Sequence, residues 1–305
     1  MKTAVILNPR SAHGRAGRAW PRLEPAVRQA LGLFTLLETE RSGHASELAR
    51  NALKQGHDRI VSVGGDGTHH EVVNGFFDDL VPVNPDATLA LLPLGTGSDL
   101  ARTLGLPKGL DAAPLLALTS TIGADVGRAT FTLSDGTRAS EYFINVSHVG
   151  AGGAVAERVN RTTKVLGGFP SFLWGVLATL LTYQNVSLRL DIDGQKLSQV
   201  CNDIVIANGR YDGGGMLVAP EARLDSGHFE VYVIGDIGRI ESFTNLPKIY
   251  KGRLMDRPDK VTHFKAKRIV VEADAPVCVN LDGECPGHLP AIFEVLSAAV
   301  RLVCP

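Results

Sequence analysis

Short apolar runs alternate with helix-like stretches over the first 120 residues of the chain. The apolar runs predict strands at Thr3–Leu7, Leu33–Leu37, Arg59–Val63 and Thr88–Leu92, and the stretches between them predict helices at Gly14–Leu31, Ala45–Gln55 and Thr68–Phe77. Because the strands read as continuous apolar runs, both faces of their sheet are expected to be covered, as in a parallel, doubly wound layer. Ligands of such sheets bind beyond the carboxyl ends of the strands, so the loops there are the candidate sites.

From about residue 125 the pattern changes to short runs separated by Gly, Asp and Asn turns. These runs predict strands at Phe143–Val146, Ser187–Ile192, Cys201–Ala207, Phe229–Ile234, Arg268–Glu272 and Val277–Leu281. Asp193 and Gly194 lie between two alternating runs, which is a hairpin signal. We therefore predict an α/β protein with a doubly wound parallel-sheet domain over residues 1–125 and a β-rich domain over residues 126–291. The last run, Ile292–Val303, is expected to return to the first domain as a strand, within residues 292–305.

One segment is long and apolar enough to raise the question of whether the chain crosses a membrane. No charged residue lies between Val165 and Leu188, and the centre of the segment is strongly apolar. A spanning helix needs about 20 predominantly apolar residues. Gly167, Gly168 and Pro170 interrupt the run, which also turns polar at Thr182. We expect a helix that covers a core or touches lipid rather than one that spans a bilayer.

The composition of the 305 residues is that of a folded protein in a reducing compartment. Hydrophobic residues make up 44% and charged residues 21%, and the net charge of −1 argues against nucleic acid as a partner. The four cysteines form no CxxC pair, and the first apolar run, Ala4–Leu7, is too short for a signal peptide, so we expect a cytoplasmic protein. The 33 glycines indicate tight turns or close backbone approaches.

The sharpest motif runs from Val61 to Gly75, with the sequence VSVGGDGTHHEVVNG. A strand leads into paired glycines and an acid, and then into a helix whose first N–H groups offer an anion site. The motif lacks the lysine of a Walker A loop, and His70 occupies the third glycine position of a dinucleotide fingerprint. Its simplest alternative is a tight strand–helix turn with Asp66 as the N-cap.

Two further loops follow neighbouring strands. The segment Leu92–Arg102 again places glycines and small hydroxyl residues between a strand and a helix, and Asn8–Ser11 follows the first strand. Loops at the carboxyl ends of adjacent parallel strands meet in one crevice. The sequence therefore predicts a phosphate-binding crevice built from three loops.

These loops resemble the diacylglycerol kinase catalytic domain family, which includes bacterial lipid kinases and the sphingosine and ceramide kinases. The resemblance rests on Gly64–Thr68 with Glu71, Asn74 and Gly75, and on Pro93–Gly97 with Asp99. It continues in order through the second half, at Asn208–Gly209, Gly213–Gly215, Ala219–Pro220, Leu224–Phe229 and Leu281–Glu284. The resemblance implies a two-domain enzyme that binds ATP and Mg²⁺, with a nucleotide-binding first domain and a lipid-substrate second domain.

The resemblance also assigns roles at matching positions. Nucleotide contacts are expected at Asn8, Pro9, Arg10, Ser11, Ala12, Thr39, Gly65, Asp66, Gly67, Thr68, His69, His70, Glu71 and Thr96. Asp99 and Arg102 are expected at the substrate. Glu284 matches the proton acceptor of the family and Asp282 stands beside it, whereas some relatives give the base role to the acid that matches Asp66. We expect Glu284 as the base and Asp66 near phosphate and Mg²⁺.

The chain departs from the family pattern at three positions. Ser226 stands where relatives usually carry an aspartate that helps to hold a structural Mg²⁺, so the candidate metal residues are Ser226 and Asp225, which is displaced by one position. Ser98 stands where asparagine is commoner, and Ala12 where glycine is usual. None of these changes removes a catalytic candidate.

The sequence therefore favours a cytoplasmic, ATP-dependent lipid kinase that acts on a hydroxyl of a diacylglycerol-like or related lipid. An NAD kinase-like phosphotransferase and a catalytically weak lipid-binding or regulatory protein remain the alternatives. The histidines show no zinc spacing. A basic stretch predicts peripheral contact with an anionic membrane, at the inner membrane face, through Lys248, Lys251, Arg253, Arg257, Lys260, Lys265, Lys267 and Arg268.

Overall fold

The computed structural model describes residues 1–166, 169–256 and 258–305. The chain divides into two compact units, of which the first contains Met1–Val126 and Ser297–Pro305 and the second contains Gly127–Leu296. Gly167 and Gly168 of the uncharged segment, and Arg257 of the basic stretch, lie outside the described residues.

Parallel strands and covering helices build the first unit. Its strands and helices are β1 (Thr3–Leu7), α1 (Ser11–Leu31), β2 (Thr35–Glu38), α2 (His44–Lys54), β3 (Arg59–Gly64), α3 (Asp66–Gly75), β4 (Phe77–Asp78), β5 (Val81–Pro82), β6 (Thr88–Pro93) and α4 (Asp99–Thr103). Strands β6, β3, β1 and β2 lie side by side in this order, all parallel. A 3-10 helix, Gly109–Ala117, follows α4.

The residues of β1 and β3 are buried without exception, which is the burial expected for strands covered on both faces. Trp20, Leu23 and Val27 of α1 pack with strand residues such as Val61 in one core cluster. The continuous apolar runs therefore predicted the parallel sheet correctly.

Antiparallel strands dominate the second half of the chain. The remaining elements are β7 (Thr121–Thr132), β8 (Arg138–Phe143), β9 (Val146–Gly150), α5 (Ala151–Leu166), α6 (Phe169–Thr182), β10 (Val186–Ile192), β11 (Gln195–Cys201), β12 (Asp203–Ala207), β13 (Tyr211–Asp212), β14 (Met216–Leu217), β15 (Phe229–Ile234), α7 (Arg239–Ile249), β16 (Val261–Ala266), β17 (Arg268–Ala273), β18 (Cys278–Leu281) and β19 (Glu284–Val303). Strands β16, β15, β12, β9 and β18 are neighbours in this order, and every pairing among them is antiparallel. The predicted class, an α/β first domain with a β-rich second one, is confirmed.

The predicted strand Phe143–Val146 is wrong, because β8 ends at Phe143 and β9 begins at Val146. The break has a physical cause: the carboxylate of Asp282 accepts the N–H groups of Ile144 and Asn145, which replaces ladder hydrogen bonds. The predicted hairpin at Asp193–Gly194 is present, since β10 and β11 pair antiparallel up to Ile192 and Gln195.

Much of the uncharged segment forms α6, from Phe169 to Thr182. Among the described residues, no helix is both long and apolar enough to cross a membrane. The end of β19 lies beside β6 in parallel register, with Arg301 opposite Thr88 and Leu302 opposite Leu89.

Candidate functional site

Glycines let the loops after β3 and β6 of the first unit approach each other closely. Leu94 donates its N–H to the carbonyl of Gly64 at 2.7 Å. A Cβ atom placed on Gly95 would lie 2.5 Å from the Cα of Gly65, closer than real Cβ contacts come. Position 95 therefore requires glycine, because the two backbones approach each other too closely for a side chain. The two loops meet where the sequence predicts a crevice.

The loop after β1 joins the same crevice through Asn8. Its Nδ2 donates to the hydroxyl of Thr68 at 2.9 Å, and its Oδ1 accepts the N–H of Arg10 at 3.0 Å. A Cβ on Gly65 would lie 3.3 Å from the Ser11 hydroxyl oxygen. The predicted nucleotide-contacting residues Asn8, Ser11, Gly65 and Thr68 are thus brought together.

The first turn of α1 is left-handed. Ala12, His13 and Gly14 have φ values of 51°, 59° and 77°. Such φ values strain residues with a Cβ, so glycine would fit the position of Ala12 without strain. The regular part of α1 begins after Gly14, as the sequence predicted.

Asp66 holds the second glycine loop rather than standing free in the crevice. Its Oδ2 accepts the N–H of Ser98 at 2.6 Å, and its Oδ1 accepts the N–H groups of Asp99 at 2.8 Å and Leu100 at 3.3 Å. These are the first N–H groups of α4, so Asp66 caps this helix in trans. Ser98 is left-handed, with a φ of 57°, which is a conformation that asparagine tolerates well.

The histidines of the motif belong to the interior. His69 is completely buried, its Nδ1 lies 2.8 Å from the Ser62 hydroxyl, and burial lowers its pKa to about 4. The side chain of His70 is buried as well. Both imidazoles therefore lie in the interior, and a nucleotide contact at these two positions, which would use the main chain, stays a prediction.

Glu71 fixes the loop after β2. Its two carboxylate oxygens accept the N–H groups of Gly43 at 2.8 Å and Ala45 at 3.0 Å, at the start of α2. Thr39, another predicted nucleotide contact, is buried and donates its N–H to Leu7 at 2.9 Å. Both residues thus order loops at the carboxyl edge of the sheet.

The other predicted residues of the first unit lie on the β6–α4 loop and on α4. The side chain of Thr96 is exposed, and its carbonyl accepts a hydrogen bond from Lys108 Nζ at 3.2 Å. Asp99 is buried and forms an ion pair with Arg102 at 2.5 Å. Asp99 and Arg102, which the resemblance places at the substrate, therefore neutralise each other's charge.

In the second unit, Asp282 and Glu284 have different surroundings. Asp282 Oδ1 accepts the N–H groups of Asn145 and Val146 at 2.9 and 3.0 Å, and its Oδ2 accepts that of Ile144 at 2.9 Å. Glu284 begins β19 and is exposed. The geometry therefore makes Asp282 the support of the β18–β19 turn, which presents Glu284.

A cavity of about 340 Å³ lies in the second unit. Its walls are mostly apolar, and include Val155, Ala156, Val205, Met216, Val218 and Ile234. Asn280 and Gly283, on either side of Leu281 and Asp282, also line it, so the cavity extends to the turn that presents Glu284. Its volume lies at the lower end of the range of small-molecule sites, about 300–1,000 Å³.

Asp225 and Ser226 do not make the metal site that the family implies. Asp225 forms a two-point ion pair with Arg223, at 3.1 and 3.2 Å, and this pairing lowers the pKa of its carboxyl. The hydroxyl of Ser226 donates to the carbonyl of His228 at 2.8 Å. In the described part of the chain, no group of three or more His, Cys, Asp or Glu residues is placed to hold a metal ion. The residues present therefore do not fit a structural Mg²⁺.

Sequence reasoning did not predict that residues from several elements line one cavity, and it gave no role to His148. They come from β9, α5, β12, β14 and α7, which are far apart in the sequence, so no local spacing marks them. The available signal was the concentration of apolar positions in the second half of the chain.

Two family models match the chain. One, described as the diacylglycerol kinase catalytic domain, matches residues 2–129, and the other, described as the YegS C-terminal NAD kinase beta sandwich-like domain, matches residues 145–304.

Relatives match over the whole length. A diacylglycerol kinase of Staphylococcus haemolyticus is 29% identical over 306 residues, which covers 99% of this chain and 87% of the relative. A diacylglycerol kinase of Bacillus subtilis is 27% identical over 310 residues, with 100% and 97% coverage. The crystal structure of a diacylglycerol kinase from Bacillus anthracis matches with a TM-score of 0.73 at 23% identity, covering 100% of this chain and 97% of that one.

Proposed function

The chain belongs to the family of proteins that join a diacylglycerol kinase catalytic domain to a YegS C-terminal domain, and on this basis we propose that it transfers the γ-phosphoryl group of ATP to a hydroxyl of a diacylglycerol-like or related lipid. The observation that carries the proposal is the apolar cavity that reaches Asn280 and Gly283, beside the turn that presents Glu284. An apolar cavity suits a hydrocarbon chain, and the neighbouring carboxylate suits a hydroxyl that must lose a proton.

The nucleotide would bind at the crevice of the first unit. Gly65, Asp66 and Gly67 open α3, where main-chain N–H groups lack acceptors within the helix and attract phosphate oxygens. Asn8 and Ser11 line the same crevice from the first loop. Mg²⁺ enters as part of the substrate, MgATP, and neutralises the charge of the phosphates.

In the proposed reaction the lipid oxygen attacks the γ-phosphorus, and the bond from that phosphorus to the β-phosphate oxygen breaks. The phosphorylated lipid and ADP are the products. Glu284 orients the lipid hydroxyl and accepts its proton. Asp66 is the weaker candidate for this role, because both of its carboxylate oxygens already accept the N–H groups that begin α4.

A surface on α7 supports peripheral contact with an anionic bilayer. The side chains of Ile240 and Phe243 are 82% and 47% exposed, and Lys248 and Lys251 follow them at the end of the helix. Exposed apolar residues insert at the headgroup boundary, and each basic residue near an anionic leaflet contributes about 1 kcal/mol. Sedimentation with anionic vesicles should therefore fall on Ile240→Asp, whereas Val200→Asp, at another exposed apolar position, should have little effect.

The test of the function is the destination of the label from γ-³²P-ATP. Protein, MgCl₂, a mixed lipid extract and NAD are incubated together, and the organic and aqueous phases are separated. A lipid kinase places the label in the organic phase, an NAD kinase-like enzyme places it in NADP, and a regulatory protein transfers none.

A matched pair of variants ties any transfer to the crevice. Gly95→Ala places a Cβ against Gly65 and should abolish transfer. Gly238→Ala, where a Cβ meets nothing within 4 Å, should leave it unchanged. Equal activity of the two variants would contradict a nucleotide site at these loops.

A further inference from the structure

His148 lies between two carboxylates in the wall of the cavity. Its Nδ1 is 2.8 Å from Asp203 Oδ2, and its Nε2 is 3.2 Å from Asp212 Oδ2. The side chains of His148 and Asp203 are only 7% and 8% exposed, whereas that of Asp212 is 24% exposed. All three residues line the cavity. The structure thus places a buried ionic cluster, which opens through Asp212, in a wall that is otherwise mostly apolar.

Two acidic side chains set the charge of the imidazole. Burial disfavours a charged imidazole, but the carboxylates of Asp203 and Asp212 outweigh this effect and raise the pKa of His148 to about 10. Burial also raises the pKa of Asp203. The imidazole therefore stands between two acidic side chains that favour its charged form. A carboxylate accepts hydrogen bonds and donates none, so Asp212 presents an acceptor to whatever enters the cavity.

The position of the cluster relates it to the proposed reaction. His148 on β9 lies opposite Asn280 on β18 in the antiparallel register. The side chain of Asn280 accepts the N–H of Gly283 through its Oδ1 at 3.1 Å. His148 is therefore on the strand next to the one that leads into the Asp282–Glu284 turn, and Gly283 of that turn lines the same cavity.

Resting on the proposed lipid kinase function, we propose that Asp212 is a headgroup subsite that selects lipids whose polar end carries a hydrogen-bond donor in addition to the hydroxyl that is phosphorylated. A diacylglycerol has one free hydroxyl, which the reaction consumes, and so offers Asp212 no second donor.

His148 and Asp203 act as positioning residues in this account. Asp203 holds the imidazole through a hydrogen bond to its Nδ1, and the Nε2 of the imidazole forms an ion-pair contact with Asp212 at 3.2 Å. Removal of either side chain should lower phosphorylation of the same lipids as removal of the Asp212 side chain, because Asp212 then loses the imidazole that fixes its position.

Two donor chemistries satisfy Asp212, a second hydroxyl and an ammonium group. The experiment therefore compares 1-oleoylglycerol, a long-chain 2-amino-1,3-diol and 1,2-dioleoylglycerol in the same detergent micelles, with kcat/KM measured for each lipid. The variants are Asp212→Ala, Asp212→Asn and, as the matched control, Asp274→Ala, since the Asp274 side chain is 86% exposed and does not line the cavity.

The wild-type protein should favour at least one of the single-chain lipids over dioleoylglycerol by tenfold or more. Asp212→Ala should lower kcat/KM for that lipid by about ten- to a hundredfold, as for loss of a hydrogen bond to a charged group, and should leave dioleoylglycerol unchanged. His148→Gln should also lower the kcat/KM for that lipid relative to the kcat/KM for dioleoylglycerol. If the favoured lipid is the long-chain 2-amino-1,3-diol, whose ammonium group needs a charged partner, Asp212→Asn should resemble Asp212→Ala. If the favoured lipid is 1-oleoylglycerol, Asp212→Asn should retain part of the activity.

Preference of the wild-type protein for dioleoylglycerol, or an equal loss for all lipids in Asp212→Ala, would overturn the subsite while leaving the kinase intact. Binding of a fluorescent monoacylglycerol, measured by anisotropy without ATP, separates the two proposals. Binding that depends on Asp212 in a protein that phosphorylates no lipid would uphold the subsite and refute the kinase. Binding that is equally tight in the wild-type protein and in Asp212→Ala would refute the subsite, whether or not the protein phosphorylates lipid.

Discussion

The carboxylate of Asp66 accepts the main-chain N–H of Ser98 at 2.6 Å. The acid of the first glycine-rich turn therefore holds the loop that follows the next strand of the sheet. Asp99 and Leu100 donate to the same carboxylate, so one side chain orders the start of α4. Loss of activity on substitution of Asp66 would consequently follow from a displaced loop as readily as from a lost chemical group.

Asp66→Ala should lower the free energy of unfolding by about 1–3 kcal/mol, because it leaves the N–H groups that begin α4 without their acceptor. Urea denaturation measures the change. Asp86→Ala is the control, since the Asp86 side chain is 92% exposed. A variant as stable as the wild type would show that Asp66 is not a helix cap.

Ala12→Gly should stabilise the protein by up to about 1 kcal/mol, because Ala12 has a φ of 51° and glycine adopts this conformation without steric cost. Ala26→Gly, inside α1, should have the opposite effect and cost about 1 kcal/mol. The two midpoints of thermal unfolding, measured together, check the sign. A destabilised Ala12→Gly protein would mean that the first turn is not held in the left-handed conformation.

Local sequence was sufficient to predict the parallel sheet and the glycine loops. Continuous apolar runs marked β1, β3 and β6, and the glycines after them marked the crevice, because both signals arise from neighbouring residues. The predicted and observed bounds of β15, Phe229–Ile234, are identical.

Features that depend on distant residues were not predictable from the sequence. The interruption between β8 and β9 requires Asp282, which is 137 residues away from Asn145. The cluster of His148 likewise unites β9, β12 and β13. Helix α7, Arg239–Ile249, was missed because its apolar residues Ile240 and Phe243 are exposed and produce no regular buried face.

Acid should destabilise the protein through His69. Its pKa is about 4 in the folded protein and about 6.5 in the unfolded chain, so between these values the unfolded state binds the extra proton. The free energy of unfolding should therefore decrease as the pH falls from 6.5 towards 4. Urea midpoints across this range provide the measurement. In His69→Gln, which does not titrate, the decrease should be smaller, and an unchanged pH profile would contradict the assignment of a neutral, buried imidazole.

Mg²⁺ should have little effect on the thermal stability of the protein without nucleotide, because the Ser226 hydroxyl already binds the His228 carbonyl and Asp225 is paired with Arg223. Ser226→Asp introduces the acid that the resemblance implies at this position and should gain stability with increasing Mg²⁺ by mass action on the native state. Ser226→Asn, which adds no charge, is the control. A large Mg²⁺-dependent rise in the melting temperature of the unaltered protein would reveal a metal site elsewhere.

Asp282 and Glu284 have different roles in the β18–β19 turn, and this difference gives the most direct test of the proposed function. The measurement is phosphoryl transfer from γ-³²P-ATP to lipid by the wild-type protein and by Glu284→Gln, with ATP binding measured in parallel. We predict labelled lipid for the wild type and a kcat lower by about 10²–10⁴-fold for Glu284→Gln, with ATP affinity and stability unchanged because Glu284 is exposed. Asp282→Asn should instead lower stability, since Asp282 binds main-chain N–H groups of residues 144–146. Absence of label from lipid in the wild type, or a Glu284→Gln protein that retains more than about a tenth of the wild-type kcat, would contradict the account.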